Sequence, residues 1–205
     1  INTKIFLEKP VFTKEKEFNN YKRYYKQLFV GYNRCFYKNV NFVKNLKLKN
    51  SIIDIKITET SISRIKSNSC HLVSIVLYIF SDLKFIRKFE NKKFIICTFK
   101  DKKNNFINFN IYFNVLTNFS INIYQTDKQK IVFSPIEKMN LYNKLIKKNN
   151  SFNLNIKKTI NEDNQFKPGF LSQIKSFENF CENKKIFNNI FFAKKVMKVC
   201  EEIIE

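Results

Sequence analysis

The chain has 205 residues and a formal net charge of +21, with 38 lysines and arginines against 17 aspartates and glutamates. That length suits one medium-sized domain with extensions, and the charge favours a polyanionic partner. Two glycines, one histidine and five widely spaced cysteines exclude the Gly-rich phosphate loops, the usual catalytic triads, and both disulfide and zinc frameworks. We therefore predict that the protein is not an enzyme and that it uses no metal and no cofactor.

The amino-acid usage indicates an AT-rich genome. Lys, Asn, Ile, Phe and Tyr, which need no G or C in their codons, make up 123 of the 205 residues. Lysines outnumber arginines 34 to 4, although arginine is the better ligand for phosphate. A mitochondrion, a plastid or a parasite nucleus would fit, and the start at Ile1 favours an organelle gene, so we predict a mitochondrial protein. The longest apolar stretch, 72–80, is far shorter than the roughly 20 residues of a membrane span.

Residues 11–34 are predicted to form a basic amphipathic helix. Aromatic and apolar side chains recur every three or four residues along one face: Phe18, Tyr21, Tyr25, Leu28 and Tyr32. They could pack in a core or stack on bases. Lys22, Arg23 and Lys26 fall between them and are predicted to contact rRNA phosphates.

Between residues 52 and 134 the hydrophobic period becomes two, which is typical of strands. Alternation is clear at 53–57 and strongest at 107–115, and apolar runs at 72–80 and 94–99 predict two more strands. Residues 121–123 and 131–133 suggest short strands. The loops between strands carry two pairs of lysines that either contact rRNA phosphates or are simply solvated: Lys102, Lys103, Lys128 and Lys130.

The last third of the chain is predicted to be helical. A short helix is expected within 137–148, and Pro168-Gly169 precedes a second helix at 170–181. A final helix carries an apolar seam at spacings of 4, 3, 4, 3 and 4 residues: Ile186, Ile190, Ala193, Met197, Cys200 and Ile204. This seam could pack on the chain's own core, or Ile186, Ile190, Met197 and Ile204 could contact a partner protein.

Together these patterns predict an α+β fold with a small mixed or antiparallel sheet, for which a ferredoxin-like topology is one option. We expect a basic helical N-terminal extension over 1–50, an α+β core over 51–160 and a C-terminal helical region over 161–205. Diffuse positive charge without a catalytic motif favours a protein that fixes folded rRNA by many phosphate contacts.

Residues 94–136 resemble the small-subunit ribosomal protein ten family. That family has a strand, then a helix, then a strand with an extended loop, and then a strand that ends in Ser-Pro. Here 94–99 ending at Asp101 would be the first strand, 121–126 with Lys128 and Lys130 the extended loop, and 131–135 the strand ending in Ser-Pro. Residues 18–34, 52–58 and 72–80 offer a second, looser likeness to small-subunit ribosomal protein three.

The resemblance implies a structural protein of an organellar ribosome, in the small subunit, with rRNA and other ribosomal proteins as partners and no small-molecule substrate. The alternative is a soluble accessory subunit of a respiratory-chain complex. Such a subunit would not need so large a positive charge.

Overall fold

The computed structural model describes residues 3–125, 129–148, 151–162, 168–184, 186–187 and 189–205. The strands are β1 (Ile5–Glu8), β2 (Leu28–Gly31), β3 (Ile52–Glu59), β4 (Lys84–Glu90), β5 (Phe94–Lys100), β6 (Phe106–Phe113), β7 (Ser120–Tyr124), β8 (Lys130–Phe133), β9 (Lys138–Lys148) and β10 (Ser151–Asn161). The α-helices are α1 (Lys38–Asn45), α2 (Cys70–Phe80), α3 (Phe170–Cys181) and α4 (Ile190–Ile204). Two 3₁₀-helices, Glu15–Tyr24 and Asn33–Phe36, and one π-helix, Ile65–Ser69, complete the described elements.

Eight strands form one mixed sheet in the order β10-β9-β8-β7-β3-β6-β5-β4. Only β3 and β6 run parallel, and every other neighbouring pair is antiparallel. The alternating sequence explains the sheet, because Ile53, Ile55 and Ile57 of β3 are fully buried on one face while Lys56 is exposed on the other. The strand predicted from the alternation at 107–115 is likewise confirmed as β6, which ends at Phe113.

The buried face of this sheet packs against α2 and α4, and their side chains form one hydrophobic core with the sheet. The prediction that 72–80 is a central strand is wrong, since these residues lie in α2. A continuous apolar run does not distinguish a buried strand from a buried helix. Helix α2 is covered on most of its circumference, so it shows no polar face in the sequence.

The N-terminal part is built differently from the predicted helix. Residues 15–24 form a 3₁₀-helix, and Leu28–Gly31 is a fully buried strand that pairs in parallel with β1. The aromatic spacing is nevertheless meaningful, because Phe18, Tyr25 and Tyr32 are buried in the core. These three side chains therefore pack internally and do not stack on bases.

The helix expected within 137–148 is also wrong, because these residues form β9, which pairs with β8 and β10. The helices predicted after Pro168-Gly169 are confirmed. Helix α3 spans Phe170–Cys181, and α4 begins at Ile190, where Asn189 caps it by accepting a hydrogen bond from the Phe192 N–H at 3.0 Å.

The α+β class is confirmed, but the sheet is large, and nothing supports a ferredoxin-like topology or a basic N-terminal extension. Residues 106–113, which follow β5 in the chain where the ribosomal protein ten family has a helix, form strand β6, so the order of elements behind that resemblance does not hold. The predicted boundaries at 50/51 and 160/161 stay predictions. Among the described helices, none has the length and apolar character to cross a membrane.

Candidate active site

The parallel strands β1 and β2 end side by side, so the segments that follow them begin at the same edge of this two-stranded sheet. Ile5 lies opposite Leu28 and Glu8 opposite Gly31, so the carboxyl ends of both strands coincide. Lys9 follows β1 directly, and the 3₁₀-helix Asn33–Phe36 follows β2. Ligands of parallel sheets bind beyond the carboxyl ends of the strands, so this edge is the first place to search for a site.

Lys9 is half-buried at this edge. Its Nζ donates a hydrogen bond to the backbone carbonyl of Ser67, at 2.9 Å, in the π-helix that leads into α2. Burial lowers the pKa of the Lys9 ammonium below its usual range. The positive charges of Arg34 and Arg64 lower this pKa further, while Cys70 and Glu8 act in the opposite direction.

The chain's single histidine lies beside this lysine. His71 is the second residue of α2, and burial lowers its pKa to about 3, with the charges of Lys9 and Arg34 adding to the effect. Its imidazole is therefore neutral at physiological pH. The Nδ1 atom is buried and has no hydrogen-bond partner among the described residues.

Arg34 lies in the 3₁₀-helix that follows β2, and its positive charge lowers the pKa of both Lys9 and His71. Its Nη2 lies 3.9 Å from Glu137 Oε1, and both side chains are about one-quarter exposed. The thiol of Cys70, next to His71, is held in its protonated form, because burial raises the pKa of Cys70 to about 11. Of these three side chains, Lys9 is therefore the one that could exchange a proton with a ligand, since His71 stays neutral and Cys70 stays protonated.

A lysine whose ammonium is destabilised by burial loses its proton more readily and can act as a general base. The Ser67 carbonyl fixes Nζ by taking one of its N–H groups, which leaves the other positions open to a ligand. The arrangement thus suits proton transfer at a hydroxyl group. Among the described residues no group of His, Cys, Asp and Glu could hold a metal ion.

The lysines and arginine predicted to bind rRNA do not converge on this site. Lys22, Arg23 and Lys26 are exposed in or after the first 3₁₀-helix. Lys102 and Lys103 are exposed in the β5–β6 loop, where Lys102 pairs with Asp82. Lys130 begins β8, with its Nζ 5.2 Å from the centre of the Tyr124 ring, and Lys128 lies outside the described residues.

The C-terminal seam packs inside the chain. Ile190 and Met197 are fully buried in the common core, and Ile186 and Ile204 are partly buried. Of the two alternatives left open by the sequence, the structure favours packing on the chain's own core at Ile190 and Met197.

Sequence reasoning missed Lys9 and His71. A lone histidine beside a cysteine carries no spacing pattern, and a lysine among 34 lysines does not stand out. The usable signal was the position of Lys9, directly after a short strand and before Pro10.

No protein-family model matches the sequence, and no curated protein sequence matches it either. Solved structures do. A dehydrogenase (MviM) from Clostridium difficile is 17% identical over 98% of this chain and 70% of its own, with a TM-score of 0.71. A dehydrogenase from Chromobacterium violaceum is 10% identical, with coverages of 98% and 68% and a TM-score of 0.78. The chain has the fold of these dehydrogenases.

An oxidoreductase from Agrobacterium radiobacter, solved with NAD⁺, L-tartaric acid and magnesium, is 11% identical over 97% of this chain and 69% of its own, with a TM-score of 0.65. These likenesses contradict the ribosomal interpretation. The predictions of rRNA and ribosomal partners, of no small-molecule substrate and of no enzymatic role are wrong, because almost the whole chain follows an oxidoreductase fold. The alternative of a respiratory accessory subunit has no support either.

The residues of this chain do not fit a dinucleotide in the usual way. A dinucleotide-binding unit needs a Gly-rich turn between a parallel strand and a helix, which lets the backbone approach the pyrophosphate. The sequence has two glycines, Gly31 and Gly169, and neither belongs to such a turn. In the described part of the chain, β1 and β2 form a two-stranded sheet of their own, and a 3₁₀-helix lies between them in the sequence.

Proposed function

We propose that this chain forms the substrate side of an oxidoreductase that interconverts a hydroxyl and a carbonyl group, with Lys9 as its proton-transfer residue. The observation that carries the proposal is the Lys9 Nζ, held 2.9 Å from the Ser67 carbonyl at the carboxyl end of β1, next to the single histidine. The oxidoreductase fold of nearly the whole chain supports this reading.

Oxidation of a hydroxyl group removes one proton from oxygen and a hydride from carbon. In the deprotonated state Lys9 accepts the proton, and the neighbouring cations Arg34 and Arg64 favour that neutral state. His71, neutral because it is buried, can hydrogen-bond the same substrate oxygen without adding charge. These residues account for the proton only.

The hydride acceptor must come from elsewhere. The Agrobacterium oxidoreductase was solved with NAD⁺, and a nicotinamide dinucleotide is the acceptor that we propose here as well. Because the sequence lacks the glycine turn, such a nucleotide would be held mainly by residues other than these 205. The mitochondrial location inferred from composition stays a proposal, since neither the fold nor the site tests it.

Selective protection of Lys9 tests the site. The purified chain would be treated with cyanate at several pH values, with and without a panel of polyols and hydroxy acids, and carbamylation would be measured at each lysine by mass spectrometry. We expect at least one compound to slow the modification of Lys9 while leaving that of Lys102 unchanged, because Lys102 is exposed in the β5–β6 loop and contacts none of the site residues named above. If no compound protects Lys9, the proposed substrate site is wrong.

Activity tests the role of Lys9. In the native protein supplied with nicotinamide dinucleotide, Lys9→Met should lower kcat by about 10² to 10⁴-fold, the usual contribution of a general base. Lys102→Met, which removes the same charge from a residue outside the proposed site, should leave kcat unchanged. Full activity in Lys9→Met would exclude the proposed role.

A further inference from the structure

A surface pocket is lined by the residue that follows Ser67, whose carbonyl holds Lys9. It occupies about 500 Å³ at the carboxyl ends of the parallel strands β3 and β6, and its lining includes Thr58, Glu59, Arg64, Asn68 and Asn114. Asn68 directly follows Ser67, whose carbonyl holds Lys9. The π-helix therefore contributes adjacent residues to both places.

The acidic residue in this pocket is already neutralised by the protein. The Glu59 side chain is 3% exposed and accepts hydrogen bonds from the Ser69 hydroxyl and from Asn68 Nδ2, the latter at 3.0 Å. Arg64 Nε lies 3.7 Å from the second Glu59 oxygen. With both oxygens engaged, Glu59 presents little unbalanced negative charge to a ligand.

The Arg64 guanidinium can still bind an anionic ligand. Its side chain is 55% exposed at the rim of the pocket, and its guanidinium makes no hydrogen bond to the described residues. Nε is the atom placed near Glu59, and a guanidinium has five N–H donors in total. The Thr58 hydroxyl oxygen, buried in the same wall, also has no partner among the described residues.

We infer that the substrate of the protein is a hydroxy acid, whose carboxylate binds at Arg64 in this pocket while its hydroxyl reaches Lys9. This inference rests on the proposed function. A guanidinium fork matches a carboxylate in shape and charge, and the exposed Asn114 amide can add a further donor.

The net charge of +21, which the oxidoreductase fold leaves unexplained, fits the same inference. An excess of cations raises the local concentration of anions and speeds their association, with a strong dependence on ionic strength. An anionic substrate benefits from this field, whereas a neutral one does not.

The experiment compares two four-carbon compounds that differ in charge, L-tartrate and L-threitol. Their dissociation constants would be measured by calorimetry on the full chain, on Arg64→Gln and on Arg87→Gln. Arg87 is the matched control, because it is an exposed arginine on β4 and its loss removes the same charge. Cyanate protection of Lys9 would be measured on the same samples.

We expect wild type and Arg87→Gln to bind L-tartrate alike, and Arg64→Gln to bind it about tenfold or more weakly, as for a lost charge-assisted hydrogen bond. L-Threitol should bind more weakly than L-tartrate and be insensitive to Arg64→Gln. Equal affinity for both compounds, with Lys9 protected, would overturn the inference and leave the proposed function standing. An equal loss in Arg87→Gln would also overturn it, since surface charge would then explain the affinity. No binding and no protection by either compound would reject both.

Discussion

The partly buried imidazole of His71 makes the stability of the fold depend on pH in a way that can be calculated. An unfolded histidine has a pKa near 6.5, and burial lowers that of His71 to about 3. The folded pKa lies below the unfolded one, so the stabilisation is complete above about pH 6.5 and is lost as the pH falls toward 3. At about pH 5 the unfolded histidine is mostly protonated, because its pKa lies about 1.5 units above that pH. Folding must remove this proton, which costs about 2 kcal/mol.

The assay is urea unfolding at about pH 7.5 and pH 5, for wild type and His71→Gln. Glutamine keeps a polar side chain of similar size but does not titrate, and the carboxylates titrate alike in both proteins, so their contribution cancels. Between the two pH values wild type should lose about 2 kcal/mol more of its unfolding free energy than the variant. Equal losses would show that His71 is not buried as described, and the proposed site would lose its neutral imidazole.

Three further predictions concern packing and accessibility. Met197→Ala should lower the unfolding free energy by about 2–5 kcal/mol, because Met197 is fully buried in the core, whereas Leu171→Ala, at an exposed position, should change it by less than about 0.5 kcal/mol. If Met197 instead faced a partner, urea unfolding would show no such difference. Gly169→Ala should destabilise the chain by about 1–3 kcal/mol in the same assay, because φ is +79° and a Cβ would lie 2.3 Å from the Asn33 carbonyl oxygen. Iodoacetamide should modify exposed Cys181 in the native chain, and mass spectrometry should find the other thiols protected until denaturant is added, since they are buried: Cys35, Cys70, Cys97 and Cys200.

Local patterns in the sequence predict several elements correctly, and the reason is burial on one face. The alternation at 107–115 identifies β6 because every second side chain enters the core. The apolar seam from Ile190 to Ile204 identifies α4, because the side chains that enter the core recur there every three or four residues. Both elements have one solvent-exposed face and one buried face, so the period of the hydrophobic pattern indicates the backbone conformation.

The patterns fail where an element is covered on most sides or where pairing decides the conformation. Helix α2 has no polar face, and residues 138–148 become strand β9 through pairing with two neighbours in the sheet. Parallel pairing of β1 with β2 joins residues more than twenty positions apart, which no local period can reveal. The sequence therefore predicts the class of the fold but neither the size of the sheet nor the edge that carries Lys9.

The positive charge misled the functional interpretation for a related physical reason. Net charge acts at long range and describes solubility and association, but it does not determine the fold or bring particular side chains together. Lys9 and His71 are 62 positions apart, and they meet because the π-helix before α2 presents the Ser67 carbonyl to the end of β1. A site built from single residues on separate elements leaves no motif in the sequence. Charge can favour an anionic ligand, and the arrangement of β1, the π-helix and α2 decides which chemistry that ligand would meet.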